Sequence, residues 1–270
     1  MIARMDARIQ EKVIKTLLAT DKMAKFEYLG DEGIRITSSS PGYSFCQVVI
    51  NKGWTEAIEM SGSVVGEAFV IDLLEAQNAI KEIKGPRMAT LEINSDLDEH
   101  LVVISGPTGT QKIEKRQVEV VKRIPEVVNG VVKFRISGAK TKRVLTSIKG
   151  INDTVNLTCG KYKIDAQIGP ESHVNEDYGL VIWSTEADEF FASSESLSPS
   201  INLEGHLDGF SNQFFVEPLA RAVNEVGTAR KEAMEISSGP DAPLRLRFRL
   251  AETVYVEYFQ APKKVVELPG

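Results

Sequence analysis

The chain has 270 residues, of which 42% are hydrophobic and 26% are charged, and these are ordinary values for a globular protein. This composition excludes a disordered chain, a collagen and a disulfide scaffold, and no apolar run reaches the ~18 residues of a transmembrane helix. The first residues lack the apolar core of a signal peptide, so we expect Cys46 and Cys159 to be reduced in a cytoplasmic or nuclear protein. Since the formal net charge is −6, any basic surface for nucleic acid must be local.

The sequence contains no recognisable catalytic or metal-binding motif. Its histidines have no ligand spacing with another histidine or with a cysteine. The Gly-rich segment at 106–110 lacks the Gly-Lys-Ser/Thr of a phosphate-binding loop, which favours a tight turn. We therefore expect a protein that is not an enzyme and has no metal or cofactor. Scattered carboxylates leave an enzyme on this scaffold open as an alternative.

Hydrophobic periodicity predicts helices and short strands in alternation along the first half of the chain. In chain order these are a helix at 7–19, strands at 24–29, 34–37 and 44–51, a helix at 71–83, and strands at 89–93 and 101–105. Asp31-Glu32-Gly33 predicts a hairpin turn. The helix at 71–83 ends before Gly85, a residue typical of helix C-termini.

The second half repeats this order of elements. It has a strand at 134–136, a helix at 139–148, a strand at 154–158 that turns at Cys159-Gly160 into 161–165, a strand at 180–183, a helix entered at 212–216 and reaching about residue 226, and a strand at 254–259. The pattern at 69–93 parallels that at 214–236, which indicates an internal duplication. We predict an α+β fold of two similar domains with antiparallel sheets, at 1–122 and 131–270, joined by a linker at 123–130.

Several segments carry a resemblance to a known family. They are Ala-Arg-Met at 3–5, Ile-Gln-Glu-Lys-Val-Ile-Lys-Thr-Leu at 9–17, Gly-Ile-Arg-Ile at 33–36 before three serines, Ile-Pro-Glu at 124–126, Val-Val-Lys-Phe at 131–134, Asp-Ala-Pro-Leu-Arg-Leu-Arg-Phe at 241–248 and Tyr-Phe-Gln-Ala-Pro-Lys at 258–263. Their order and spacing over the whole chain resemble the DNA sliding clamps of the proliferating cell nuclear antigen (PCNA) family.

The resemblance implies a clamp fold that closes into a ring around duplex DNA, with sheets outside and helices on the inner face. It implies a homotrimer that serves as a processivity factor in DNA replication and repair. Its partners would be double-stranded DNA of any sequence, a DNA polymerase, a clamp loader and other proteins with a short peptide motif. Edge strands at 112–121 of one subunit and 180–185 of the next would pair across each interface.

Positive charge is concentrated in the predicted helices and just beyond them. Attraction to phosphate is independent of base sequence and leaves a protein mobile on DNA. Under the resemblance, the DNA-binding residues are Arg8, Lys12, Lys15, Lys81, Lys84, Lys140, Lys142, Arg143, Lys149 and Arg221. The spacing of Lys140 and Arg143 allows them to share a helix face. Without the resemblance, the same cations would fit ordinary solvated helix faces equally well.

A front-face pocket for a partner peptide is the second surface that the resemblance implies. The matching positions are Tyr43, Ser44, Ile124, Pro125, Pro243, Phe259, Ala261 and Pro262. Apolar anchors in such a pocket are how short motifs gain affinity. A different class of clamp, a damage-checkpoint ring of unlike subunits, remains an alternative to the homotrimer.

Overall fold

The computed structural model describes residues 1–40, 43–51, 58–61, 64–85, 90–95, 99–120, 132–162, 179–185, 190–192, 207–226 and 233–263. Its first elements are β1 (Ile2–Asp6), α1 (Ala7–Leu17), β2 (Met23–Tyr28), β3 (Ile34–Ser40), β4 (Ser44–Ile50), β5 (Ile58–Ser61), β6 (Ala68–Asp72), α2 (Leu73–Ile83), β7 (Thr90–Asn94), β8 (Leu101–Gly106) and β9 (Gly109–Glu114). They are followed by β10 (Val132–Ser137), α3 (Gly138–Lys149), β11 (Thr154–Tyr162), β12 (Gly179–Ser184), β13 (Phe190–Ala192), β14 (Leu207–Phe215), α4 (Val216–Ala222), β15 (Ala233–Ser238), β16 (Leu244–Ala251) and β17 (Val254–Gln260). Within these ranges no helix is long and apolar enough to cross a membrane.

Three helices begin directly at the end of a strand, where a polar side chain caps the first turn. Asp6 accepts a hydrogen bond from the N–H of Arg8 at 2.7 Å, and Asp72 accepts one from the N–H of Leu74 at 2.7 Å. Ser137 caps α3 in the same way. Because these side chains bond N–H groups that have no partner within the helix, they fix the residue at which each strand becomes a helix.

The chain forms two compact units, each of them discontinuous in sequence. Unit 1 consists of Met1–Ile124, Arg221–Gly227 and Arg247–Phe259, and unit 2 of Pro125–Ala220, Thr228–Leu246 and Gln260–Gly270. Strand β16 therefore has residues in both units. The predicted linker at 123–130 lies outside the described residues.

Unit 1 contains two groups of antiparallel strands and two helices. One group has the order β5-β1-β7-β8-β9, and the other has the order β17-β4-β3-β2-β6. Helix α1 packs on β1 and β4, α2 packs on β6, β8 and β9, and the two helices contact each other. Leu17 in α1 and Ile80 in α2 are fully buried. Each helix thus buries one apolar stripe against strands of both groups.

In unit 2, antiparallel strands follow the order β13-β12-β11-β14, and β10 pairs with β15. Helix α3 packs on β10 and buries Leu145 and Ile148. Trp183 in β12 and Phe214 in β14 have no exposed surface and belong to the core of this unit. The predicted α+β fold with antiparallel sheets is confirmed.

Strand pairing repeats between the two halves of the chain, as the sequence predicts. The order β1-β7-β8-β9 in the first half corresponds to β10-β15-β16-β17 in the second, and β6-β2-β3-β4 corresponds to β14-β11-β12-β13. Each half therefore uses the same succession of strand, helix and strands. This correspondence assigns every described strand of the second half a counterpart in the first.

Three sequence predictions were wrong in detail. The turn at Cys159-Gly160 does not form, because β11 runs through it and pairs with β12 on one side and β14 on the other. The segment 180–185 is not an edge, since β12 lies between β11 and β13. Helix α4 ends at Ala222, after which the chain makes hydrogen bonds across three residues, from Asn224 to Arg221 and from Val226 to Val223.

Candidate nucleic-acid interface and partner site

Helix α1 carries a stripe of three cations on the side opposite to its buried residues. Arg8, Lys12 and Lys15 are spaced by four and three residues, so they lie above one another on the helix surface. Arg8 and Lys15 are exposed and Lys12 is half-buried. The first turn of α1 contains no acidic residue, and the carboxylate at this helix end is that of the capping Asp6.

Helix α3 presents its cations on two sides. Lys140 and Arg143 are exposed on the face opposite to the buried Leu145, and Ser147 continues this stripe. Lys142 is half-buried and lies on the flank of the helix with Lys149, seven residues further on. The predicted shared face of Lys140 and Arg143 is therefore confirmed, and Lys142 does not belong to it.

The other two helices have mixed charge. Helix α2 exposes Lys81 beside Glu82, whose carboxylate accepts a hydrogen bond of 2.6 Å from Gln111. It also exposes Glu75, which forms an ion pair with Arg116. Arg221 is exposed near the end of α4. Acids equal or outnumber the cations within α2 and α4, whereas α1 has three cations against Glu11 and α3 has four cations and no acid. The helices with net positive charge are therefore α1 and α3, the first helix of each half.

Two of the predicted DNA-binding lysines contact glutamates on a neighbouring helix. Lys84, directly after α2, places Nζ 2.7 Å from Oε1 of Glu11 in α1. Lys149, the last residue of α3, places Nζ 2.7 Å from Oε2 of Glu217 in α4. Sequence reasoning missed both glutamates, because the partners in each pair are 73 and 68 residues apart and no local spacing connects them.

In unit 1, the predicted partner-site residues surround the junction of β4 and β17. Phe259 is buried and contacts the buried ring of Phe45 edge-on. Tyr43 is half-buried and Ser44 is buried. Burial raises the pKa of Tyr43 to about 12, and it raises the pKa of the buried Tyr258 well above its ordinary value. Sequence reasoning missed Phe45, because no local spacing connects it to Phe259 in β17.

In unit 2, a buried asparagine fixes the loop that precedes Pro243. Asn212 donates from Nδ2 to the carbonyl of Gly239 at 2.8 Å, and its Oδ1 accepts from the N–H of Asp241 at 3.2 Å. Asp241 has a φ of 52°, a left-handed conformation that these bonds hold in place. Pro243 itself is half-buried. This loop is therefore rigidly attached to β14.

The segment after β17 is also attached to β14. Gln260 donates from Nε2 to the carbonyl of Phe215 at 3.0 Å, and the N–H of Lys263 donates to the carbonyl of Gln213 at 2.7 Å. Ala261 and Pro262, between these anchors, are half-buried. Ile124 and Pro125, the remaining predicted partner-site residues, lie outside the described residues. Among those described, no group of His, Cys, Asp and Glu could hold a metal ion.

Strands β9 and β13 each end a sheet with one side that the described residues leave without a partner, and β5, β6, β10 and β14 also lie at sheet ends in the described part of the chain. Strand β9 pairs with β8, and β13 pairs with β12. The N–H of Lys115 donates to the carbonyl of His100, so alternation in the antiparallel ladder directs Gln111 and Ile113 towards β8. The backbone groups of Thr110 and Lys112 therefore point away from β8.

The arrangement of strands and helices is that of the PCNA sliding clamps. A structure of PCNA from A. fulgidus with the C-terminal region of FEN-1 superimposes with a TM-score of 0.75 at 19% sequence identity, covering 99% of this chain and 100% of that one. A PCNA from Thermococcus kodakaraensis gives 0.71 at 16% identity, covering 97% and 100%. A structure of the PCNA2–PCNA3 complex from Sulfolobus tokodaii gives 0.71 at 15%, covering 97% and 99%.

These comparisons show that the chain has the PCNA-type clamp fold over nearly its whole length. No family model matches the chain, and no curated protein matches it. The predicted fold is therefore confirmed by structural likeness. Sequence identities this low show the fold alone, so the function is argued from the residues of this chain.

Proposed function

We propose that this chain is a DNA sliding clamp that encircles duplex DNA and tethers a DNA polymerase and other replication and repair enzymes, without catalysing a reaction itself. The observation that supports the proposal is the net positive charge of α1 and of α3 on a PCNA-type fold, in a chain whose net charge is −6. Tethering raises the concentration of a partner at the template, which requires no catalytic group.

Ring closure by copies of this chain is supported by a pairing that the chain makes internally. The N–H of Asn51, after β4, donates to the carbonyl of Thr253, before β17, and the other ends of these strands meet at Phe45 and Phe259. Strands β4 and β17 therefore run antiparallel. The counterpart of β4 in the second half is β13, and the counterpart of β17 in the first half is β9. Each of these two counterparts lies at a sheet end and has an unpaired side in the described part of the chain. We expect β9 of one copy to pair with β13 of the next.

Such an interface joins two different surfaces, so successive copies form a closed ring if the rotation between them is correct. We expect three copies, with a mass in solution about three times 29.8 kDa. The likeness to a chain of the PCNA2–PCNA3 complex keeps a ring of unlike subunits as the second candidate. A purified chain that stays monomeric and assembles only with a related chain would favour that candidate.

DNA contact is proposed for the exposed cations of α1 and α3. These residues can reach phosphate without reading bases, so affinity for linear duplex should be weak, sensitive to salt and independent of sequence. The partner peptide is proposed to bind beside the anchored segment at 260–263, since the similar A. fulgidus PCNA was solved with a C-terminal region of FEN-1.

The test is topological. The chain is loaded onto a nicked circular plasmid by the clamp loader of the same organism, washed at high salt, and the plasmid is then cut once. A clamp stays on the circle and leaves when the DNA becomes linear, whereas a protein bound only by charge leaves in the wash. Primer extension on a long template gives the functional readout, and product lengths that are identical with and without the chain would refute the proposal.

A further inference from the structure

Two lysines of the proposed DNA-binding set each contact a glutamate on the adjacent helix. One pair, Lys84 with Glu11, connects the end of α2 to α1 within unit 1. The other, Lys149 with Glu217, connects the end of α3 to the start of α4 within unit 2. Both N–O distances are 2.7 Å. Each unit therefore has one ion pair between a lysine at the C-terminal end of a helix and a glutamate on the adjacent helix. The lysine belongs to the second helix in unit 1 and to the first helix in unit 2.

The location of these lysines also disfavours contact with phosphate. Lys84 directly follows the last residue of α2, and Lys149 is the last residue of α3. A helix C-terminus carries partial negative charge, which stabilises a lysine there and repels an anion. By contrast, Arg8 and Lys140 lie in the first turns of α1 and α3, where the partial charge is positive. The predicted cations thus include Arg8 and Lys140 at helix ends of positive partial charge, and Lys84 and Lys149 at helix ends of negative partial charge, where each is paired with a glutamate.

We propose that Glu11 and Glu217 are internal counter-ions that withhold Lys84 and Lys149 from DNA phosphate and so limit the grip of the clamp on the duplex. This inference rests on the proposed clamp function. Each phosphate contact contributes about 0.9 to the dependence of log affinity on log salt concentration, so withholding two lysines lowers that slope by about 1.8. A weaker grip leaves the ring free to slide.

Charge-neutral replacement of the glutamates tests the proposal. Binding of a short linear duplex is measured across a series of salt concentrations for the wild-type chain, Glu11→Gln, Glu217→Gln and the double variant. Each single replacement should steepen the slope by about 0.9, so a fourfold fall in salt concentration raises affinity about 3.5-fold more than in wild type. The double variant should steepen it by about 1.8.

Glu82→Gln is the matched control, because Glu82 lies on α2 and bonds Gln111 instead of a lysine. It changes the net charge equally and releases no cation, so we expect no change in slope. Lys84→Ala should leave the slope of the wild-type chain unaltered and should cancel the gain in the Glu11→Gln background. Thermal unfolding checks that each variant is folded. If a glutamine variant does not fold, Glu11→Asp or Glu217→Asp is measured in its place, because aspartate holds the carboxylate one methylene further from the lysine.

The outcomes separate the two proposals. Slopes of the glutamine variants equal to that of wild type, or equal to that of Glu82→Gln, would overturn the counter-ion role while leaving the clamp function in place. A wild-type chain that binds duplex DNA without salt dependence would overturn both.

Discussion

The rings of Phe45 and Phe259 meet edge-on, with their centroids 5.8 Å apart and their planes at 62°. Both side chains are buried, and they join β4 to β17, two strands that are far apart in sequence. Edge-to-face aromatic pairs contribute about 0.5–1.5 kcal/mol beyond the burial of their area. This contact is therefore a measurable part of the junction that closes the sheet within unit 1.

A double-mutant cycle on this pair should show coupling. We expect Phe45→Leu and Phe259→Leu to interact by about 0.5–1.5 kcal/mol in the free energy of unfolding, measured with urea. The control cycle combines Phe45→Leu with Phe69→Leu. Phe69 lies in β6, three strands from Phe45, and its ring stacks on Phe26 and not on Phe45. Those two changes should add to within about 0.5 kcal/mol. Equal coupling in both cycles would mean that the aromatic contact has no specific role.

Replacing Lys112 by proline should weaken self-association. The N–H of Lys112 points away from β8, so proline removes a donor from the open side of β9 and leaves the β8 ladder intact. Lys112→Ala, which keeps the N–H, should assemble like wild type. Light scattering over a range of protein concentrations measures the mass. An unchanged assembly in Lys112→Pro would show that β9 is not the interface strand.

Loss of the Asn212 side chain should destabilise the protein. Asn212→Ala leaves the carbonyl of Gly239 and the N–H of Asp241 without these partners, at an expected cost of about 1–3 kcal/mol in the free energy of unfolding. Asn224→Ala is the matched control, because this exposed asparagine bonds a neighbouring glutamate and should cost less than about 0.5 kcal/mol. Equal costs would show that the loop before Pro243 does not depend on Asn212.

The buried thiol of Cys46 should make the protein less stable in alkali. Burial raises the pKa of this thiol above its ordinary value of 9.0, so the folded chain keeps the proton that the unfolded chain releases. Above pH 9 the unfolded state therefore binds fewer protons, and stability falls by about 1.4 kcal/mol per pH unit from this group. Burial raises the pKa of Tyr43 from 10.0 to about 12, so this half-buried phenol adds a smaller loss above pH 10.

The contribution of Cys46 is isolated by comparing wild type with Cys46→Ala in urea unfolding between pH 8 and 10. The difference in unfolding free energy between the two proteins should be constant below pH 8.5 and should shrink above pH 9. A difference that is independent of pH would contradict the assignment of the alkaline loss to this thiol.

Removing the open cations of α3 should reduce the salt dependence of DNA binding. Lys140→Ala with Arg143→Ala should lower the slope by up to about 1.8, because each residue can contribute about 0.9. Adding Lys149→Ala should change it further by much less, since Glu217 already engages that lysine. Thr146→Ala with Ser147→Ala alters two exposed residues of the same helix without changing charge, and it should leave the slope unaltered. An equal effect from all three cations would contradict the distinction between open and held residues.

Local pattern predicted the helices well, because their signals lie within a few turns of chain. The stripe of Ile14 and Leu17, the cap at Asp72 and the stop at Gly85 all act between near neighbours. The strand predictions failed where pairing decided the outcome. Gly160 suggests a turn by itself, yet it lies opposite Gly209 in a strand whose two sides are both hydrogen-bonded.

The sequence by itself determined the succession of elements, the duplication and the basic character of α1 and α3, since composition and periodicity encode all three. Only the tertiary structure decided that β13 rather than β12 ends its sheet, and that Lys84 and Lys149 face Glu11 and Glu217. The physical reason is the distance along the chain between the residues that interact. Helical periodicity arises between residues three or four apart, whereas strand order and ion pairs between helices bring together residues that are far apart in the chain.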